Sequence, residues 1–456
     1  VSVTELGAAD LAAGIRAGEL SPVAVLEAFI ERIELLNPEL NAVVATRFDE
    51  ARSEAAAAER AVAAGGPVPP LHGVPVTVKE AIGVAGLPQT NGSLLTADVV
   101  APRDARAVAN LRSAGAVVMG VTNVPEFCAY YDTDNRVYGR TLNPHDHEHT
   151  SGGSSGGESA ALSASLSPLG VGSDIGSSVR QPACWTGVYG MKPTRGLVPL
   201  AGHAGFGTPP AWQLFAAIGP MARYAGDLAL ALEALAGQPL APALPGPRRV
   251  AVFEDDGLQP VARSCRNAVR RAAAALADGG NDVVEAAPPS PLEVRRAYDT
   301  MLVTEASQFM PELVGDRAAD LSRYGRMMYE GVTSFPPDLE RYVKAGSALA
   351  ELQDATDEWL EDHPVVICPV TPITAPVAGE GITNADGEEM LPGGKLTLST
   401  WANALGLPAV SVPAGRDDSR LPVGVQVVGR RGRDADVLAV ACELESALGG
   451  WVRPAA

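Results

Sequence analysis

Short apolar runs of strand character alternate with alanine-rich stretches of helical character along this chain, and no other feature narrows its fold as much. "GVPVTVKEAI" (73–82), "AGAVVMGVTN" (114–123) and "LSPLGVGSDIG" (166–176) are the early runs, with alanine-rich segments before or after them. β-Branched residues favour strands and alanine favours helices, so each segment has a local preference. Strands and helices in alternation predict a layered α/β sheet. The runs return late in "RRVAVFED", "PVVICPVTP", "LPAVSVPAG" and "LPVGVQVVG", interleaved with helical patterns over 262–278 and 433–447. The sheet therefore spans the chain, and the Pro-rich stretch 237–249 reads as a connector inside a single domain covering 1–456. Near the start, "SPVAVLEAFIERIELL" opens a helix with Ser21 as its cap and Pro22 in its first turn.

Composition removes several classes of function. With 46% apolar and 20% charged residues among 456, the chain can bury a large core and has no disorder signature. Its 54 acidic and 35 basic side chains give a net charge of -19, which repels a phosphate backbone, so nucleic acid is not an expected partner. No uncharged apolar run reaches the roughly 18 residues of a membrane span, and the N-terminal stretch lacks the layout of a signal peptide. A cytoplasmic protein is the expectation. The five cysteines are scattered singly without C-x-x-C spacing, which suits reduced thiols better than a disulfide frame or zinc site.

The stretch "HTSGGSSGGESA" (149–160) contains a G-x-S-x-G frame that would make Ser155 the nucleophile of a serine hydrolase elbow. That arrangement needs a downstream histidine, and only His203 and His363 follow, the latter at the end of a helical pattern. The cluster "HDHEH" (145–149) has alternate residues in a Pro-led loop, which seldom converge on one ion, so no metal is expected. Lysine usage is the better lead. Only Lys79, Lys192, Lys344 and Lys395 occur among the 35 basic residues, so arginine served wherever charge alone sufficed. Lys79 closes an apolar strand, where burial depresses an amine and leaves it able to act as a base. A snorkelling strand-end lysine is the plainer alternative. A second serine-rich stretch, "GVGSDIGSSVRQPACWTGVYGMKPTRG" (170–196), runs from a strand into a glycine turn, a geometry that aims successive N–H groups at one point. Ile175, Gly176, Ser177 and Ser178 are the donor candidates there. Base, Gly-Ser turn and anion cradle together describe a hydrolase that works without histidine.

At these residues the chain resembles the amidase signature family. "GVPVTVKE" is similar to the family's lysine strand, "GGSSGGESAA" to its Gly-Ser core and the 172–196 stretch to its nucleophile loop, with "TNVPEF", "GRTLNPHD" and "LPVGVQVVG" as secondary matches. The resemblance implies a mixed central β-sheet covered by α-helices on both faces, a signature core at about 70–200 and a variable, substrate-shaping region at about 245–360. By motif it makes Lys79 the base, Ser154 the relay after a cis bond from Gly153, and Ser178 the nucleophile, with the oxyanion hole at residues 175–178. Ser155, Asp174 and Arg180 become supporting residues, and Cys128 and Trp185 become candidates for the acyl pocket. Two departures stand out. Ser177 occupies a position where the family most often has glycine, which would narrow the acyl site, and Glu80 follows the lysine where many members have Asp, a choice shared by fatty acid amide hydrolases.

The activity so implied is cleavage of a linear carboxylic amide through a serine acyl-enzyme without cofactor, with ester, anilide or carbamate cleavage open and a homodimer left open as the assembly. Two rival readings stand beside it. One is the A-type component of a glutamine amidotransferase, working with a partner on misacylated tRNA, and the other is a non-enzymatic binder using "GGSSGG" as a phosphate nest. Residues 298–342 collect Tyr298, Phe309, Tyr324, Tyr329, Phe335 and Tyr342 with Met301, Met310, Met327 and Met328. They are expected to wall an apolar acyl site, with ordinary helix core as the alternative.

Overall fold

A computed structural model describes residues 2–204, 209–257, 259–380, 383, 385 and 397–455. Lys395 lies outside the described residues. Eleven strands of these residues form one sheet: β1 Val43–Thr46, β2 Pro75–Lys79, β3 Val117–Thr122, β4 Leu169–Asp174, β5 Tyr189–Lys192, β6 Ala217–Ala222, β7 Arg249–Val252, β8 Asp282–Glu285, β9 Val365–Pro369, β10 Ala409–Arg416 and β11 Pro422–Gly429. Their order is β1-β3-β2-β4-β6-β5-β10-β11-β9-β7-β8. Pairing is parallel at β3/β2/β4 and at β9/β7/β8 and antiparallel elsewhere, so the sheet is mixed. Every residue of β2, β3, β4, β6, β9 and β11 is buried. Successive side chains of a strand point to opposite faces, so this burial requires cover on both.

Helices supply the cover. In chain order they are α1 Ala8–Arg16, α2 Pro22–Leu40, α3 Phe48–Ala63, α4 Arg106–Ser113, α5 Gly156–Ser163, α6 Arg180–Thr186, α7 Pro210–Phe215, α8 Ala225–Ala236, α9 Arg263–Asp278, α10 Pro291–Val314, α11 Arg323–Thr333, α12 Leu339–Asp362, α13 Thr397–Ala404 and α14 Asp434–Leu448. The Ser21 side chain accepts from the Ala24 N–H and Pro22 begins α2, as expected from the sequence. Each strand-like run named above carries a strand, and the patterns at 262–278 and 433–447 are α9 and α14. Four short strands, β1, β5, β6 and β8, escaped sequence reasoning. β6, "AIGPMA", has small residues and a proline where a strand pattern would show β-branched ones, and it gains its strand character from the β4 and β5 ladders on either side.

Three features of this scaffold converge on the site. β2 and β4 run parallel, β2 ending at Lys79 and β4 continuing two residues further to Asp174. Between them in sequence, the "GGSSGG" turn enters α5, which is buried along its whole length. The chain leaves β4 through the 175–179 turn into α6, also wholly buried. No described helix is long and apolar enough to cross a membrane.

Candidate active site

Lys79 is the last residue of β2 and its side chain is fully buried. Its Nζ lies 2.7 Å from Ser154 Oγ and donates at 3.3 Å to the Ser173 carbonyl. Burial pulls the amine below its ordinary value, opposed by Cys128 and by the charges of Asp174 and Glu158. The Gly153–Ser154 peptide is cis. A side chain at Gly153 would bring its Cβ to 2.5 Å from the Tyr130 carbonyl, so only glycine fits there. Ser155 shares the lysine's acceptor, its Oγ donating at 3.3 Å to the Ser173 carbonyl, while its N–H donates at 3.0 Å to the Ser178 carbonyl. This last bond ties the Gly-Ser turn to the second turn, where Ser178 is 9% exposed and lines the same cavity as Ser154.

Asp174 organises the second turn. Its carboxylate accepts from the N–H groups of Ser177 at 2.8 Å, Val179 at 3.1 Å and Arg180 at 3.3 Å, and from the Arg180 guanidinium at 3.1 Å. Burial would raise this carboxyl, but the Arg180 charge with these hydrogen bonds and that of Asn403 outweighs it and holds Asp174 well below the carboxylate range. Arg180 in turn donates to Gln426 Oε1 and to the Ser399 carbonyl, both at 2.9 Å, and to Asn403 Oδ1 at 2.5 Å. This network revises the expected oxyanion hole. The Ser177 N–H is already donated to Asp174, whereas the N–H groups of Ile175, Gly176 and Ser178 donate to no other described group. Ser177 has φ +84°, a conformation that favours glycine. Its side chain is fully buried and does not line the cavity, so it does not narrow the acyl site as expected.

The cavity beside the two serines measures about 170 Å³, and its apolar wall includes Phe127, Ile175, Ala216, Trp212, Leu302 and Met328. Cys128, an acyl-pocket candidate from the sequence, also lines it. Trp185 does not: it is fully buried on α6 in a separate cluster with Tyr131, Val370 and Ile373, its Nε1 donating to the Ile373 carbonyl and Thr371 Oγ1 at 3.2 Å. None of the described residues lining the cavity belongs to α6. Of the ten aromatic and methionine residues in 298–342, Met328 alone lines this wall, and Leu302 joins it unforeseen. Tyr298 instead supports the second turn from α10, its hydroxyl donating at 2.7 Å to the Ile175 carbonyl. Phe309 and Tyr342 line a neighbouring cleft, and Met310 belongs to a core cluster behind Phe127.

Three further polar residues bear on the site, Glu158 and Glu80 buried and His203 partly so. Glu158 on α5 accepts from Thr122 Oγ1 at 2.9 Å and from Thr77 Oγ1, stitching α5 to β3 and β2, and burial pushes it up to about 8. A lone glutamate in the otherwise small-residue run "GGESAALS" was the available signal. Glu80 accepts from Thr90 Oγ1 at 2.6 Å and the Asn91 N–H at 2.9 Å, fixing the loop that carries Asn91 to the cavity. His203 was weighed only as a partner for Ser155. It lines the cavity, but its Nε2 is 2.9 Å from Ser173 Oγ, and burial together with Lys79 lowers it to about 3, so the ring is neutral. His363 stands at the end of α12, its Nδ1 3.0 Å from the Trp359 carbonyl. Among the described residues no group of three or more His, Cys, Asp or Glu side chains converges to hold a metal, and the 145–149 histidines bond elsewhere, His145 Nε2 lying 3.0 Å from the Thr186 carbonyl.

Comparison with known proteins agrees with this geometry. The profile of the family described as Amidase matches residues 24–438. An indoleacetamide hydrolase of Bradyrhizobium diazoefficiens is 34% identical over 98% of this chain and 87% of its own length. One component of the glutamyl-tRNA(Gln) amidotransferase of Lachnospira eligens is 32% identical over 98% of this chain and 99% of its own. Among solved structures, a bacterial aryl acylamidase belonging to the amidase signature enzymes superposes with a TM-score of 0.84 at 27% identity, covering 97% of this chain and 96% of that one.

Proposed function

The chain belongs to the amidase signature family, and on that premise we propose that it hydrolyses linear carboxylic amides of aryl or medium-length acyl groups through an acyl-enzyme on Ser178. The observation that carries the reading is the 2.7 Å contact between a fully buried lysine amine and Ser154, in a cavity that Ser178 also lines. Neutral Lys79 draws a proton through Ser154 from the Ser178 hydroxyl as the latter attacks the carbonyl carbon. Charge on the carbonyl oxygen is met by the N–H groups of Ile175, Gly176 and Ser178, which donate to no other described group, a contribution of about 3–4 kcal/mol per donor in comparable sites. The proton then passes back from Lys79 to the leaving nitrogen, the C–N bond breaks, and water releases the acid by the same relay. Asp174 and Arg180 keep the turn in shape, and Ser155 pins it to the Gly-Ser loop.

Cavity size supports the acyl class. A dry cavity of about 150 Å³ accepts benzene, so one of 170 Å³ with apolar walls suits an aryl or short alkyl chain. The named activities of the indoleacetamide hydrolase and the aryl acylamidase point the same way. The amidotransferase reading fits less well, because among the described residues lining the cavity none carries a positive charge to hold the carboxylate of free glutamine. Nor does the phosphate-nest reading fit, since α5 is buried from its first residue. The test is release of amine or ammonia from acetamide, hexanamide, benzamide and glutamine. Higher kcat/KM for the larger apolar acyl groups supports the proposal; a flat profile or a preference for glutamine overturns it.

A further inference from the structure

Glu126 is a carboxylate that the mechanism above leaves unused, buried and one residue before the cavity-lining Phe127. Its two oxygens serve different segments. Oε1 accepts from Ser93 Oγ at 2.7 Å, in the loop that carries Asn91 to the cavity. Oε2 accepts from the Ser322 N–H at 2.7 Å and from Ser322 Oγ at 2.6 Å, and Ser322 is the N-cap of α11. Ser322 Oγ also accepts from the Gly325 N–H at 3.0 Å, so the carboxylate is tied into the first turn of the helix. The approach is close enough that a Cβ at Gly325 would overlap Glu126 Oε2. Helical propensity alone would favour alanine at this position, so the glycine answers to the carboxylate and not to the helix.

We propose that Glu126 is a positioning residue for acyl specificity: by holding the first turn of α11 against the 126–128 segment, it sets where Met328 stands along the cavity wall. The proposal deepens the reading above and rests on the cavity being the acyl site. This helix needs such a tie because it buries little of itself. Gly325 is the sole buried residue of Arg323–Thr333, while Met328, Tyr329 and Val332 are half-buried against the cluster that contains Phe127 and Met310. Apolar contact of that kind is non-directional and leaves a helix free to slide, whereas hydrogen bonds to a buried carboxylate are specific in distance and angle. Met328 follows Gly325 by three residues, on the same face of the helix. The tie therefore acts one turn from the side chain that lines the cavity. Tyr324, in the same first turn, stacks on Tyr130 with ring centroids 3.8 Å apart and fixes the turn from a second direction.

The test compares Glu126→Ala, Glu126→Gln and Gly325→Ala on acetamide, hexanamide and benzamide, with circular dichroism to check folding. Glu126→Ala releases the first turn of α11, so KM for hexanamide and benzamide should rise about tenfold with kcat within about twofold, while kcat/KM for acetamide holds within about twofold. Glu126→Gln still accepts from Ser322 through its carbonyl oxygen and donates its amide to Ser93 Oγ, so it should keep the wild-type profile. Gly325→Ala forces the turn off the carboxylate from the other side and should copy Glu126→Ala. It alters a largely exposed helix, so it carries the test where Glu126→Ala does not fold. Both changes act on one contact, so the double variant should lose no more than Glu126→Ala alone. Equal losses on all three amides, a glutamine variant as impaired as alanine, a Gly325→Ala profile like the wild type, or additive losses in the double variant overturns the proposal. A flat profile in the wild type would instead overturn the acyl reading itself, so the two failures are distinguishable.

Discussion

The surroundings of Lys79 and the helical layer α10–α12 are built on opposite rules. Around Lys79 polar and charged groups are buried and partnered, with the lysine, Arg180, Glu158 and Ser155 all without solvent contact. In the helical layer, large apolar groups lie in the open, with Leu339 76%, Val343 56% and Phe335 55% exposed. The difference follows from what each region is asked to do. A proton relay works only in one geometry and in one protonation state, and burial with complete hydrogen bonding sets both, because any unpaired charge there is costly. On the proposed function the cavity wall needs apolar area of suitable size, to which α10 contributes Leu302.

The largest test of the contrast is removal of the reacting groups. Ser178→Ala should lower kcat by about 10⁴-fold or more with the melting temperature little changed, because a hydroxyl is lost from a partly open position. A fluorophosphonate should label Ser178, and a label on Ser155 with Ser178→Ala still active would break the assignment. Lys79→Arg should be as inactive as Lys79→Ala, since a guanidinium keeps its proton near neutrality. In the wild type, activity should rise with pH as the depressed Lys79 amine loses its proton, and this limb should lie well below that of a free lysine.

Next in size is a loss of stability without a change in the reacting atoms. Arg180→Gln leaves the Asp174 carboxylate buried without its cation, and removing one partner of such a pair costs about 3–5 kcal/mol, readable as a fall in the urea midpoint. Asp174 also fixes the sign of an acid effect. Its folded value is depressed, so its contribution is complete above the unfolded value of about 3.9 and is lost as pH falls through the folded value. The wild type should therefore lose this increment only in strong acid, and Asp174→Asn should show a flatter acid limb of stability. An Arg180→Gln protein as stable as wild type would mean that the network around the turn is dispensable.

The same contrast explains what was legible in the sequence. Lys79, Ser154 and Ser178, which the structure places around one cavity, could be singled out because rarity, glycine turns and motif resemblance mark them in the sequence. Glu158 and His203 were not found, because their significance comes from partners on other strands and loops: Thr77 and Thr122 for one, Ser173 for the other. The helical layer was legible only as composition. An aromatic or methionine on a helix looks the same in sequence whether it meets the cavity, as Met328 does, the core, as Met310 does, or solvent, as Met327 does. Trp185 was misplaced for the converse reason, since a short helix buried on all sides shows no polar face by which to orient it.

A smaller, selective effect belongs to the cavity wall. Leu302→Ala and Met328→Ala each enlarge the acyl site without touching the relay. Since a buried methylene contributes about 0.8 kcal/mol, each should raise the preferred acyl length by one or two carbons and lower kcat/KM for the present optimum by roughly tenfold. Turnover of acetamide, too short to reach either side chain, should hold steady. Equal losses on acetamide and hexanamide would place these residues in the machinery and dissolve the distinction between the two regions.

The smallest effect is expected where the apolar groups are most exposed. Phe335 precedes α12, and Leu339 and Val343 lie one turn apart on it, so all three could be mistaken for part of the acyl wall on composition alone. None of them lines the 170 Å³ cavity. Replacing an exposed side chain away from caps and ion pairs changes stability by no more than about 0.5 kcal/mol, so Phe335→Ser and Val343→Thr should leave the urea midpoint and kcat/KM for benzamide unchanged. Leu339 differs, because it lines the neighbouring cleft with Phe309, Tyr342 and Pro210 of α7, the helix whose Trp212 lines the first cavity. Leu339→Gln should therefore leave small amides unaffected and weaken only substrates long enough to occupy both spaces, seen as a higher KM for a long acyl amide with KM for benzamide constant. A uniform change across substrate lengths would show that this edge of the helical layer acts on the chemistry itself, and the line drawn between the two regions would have to move.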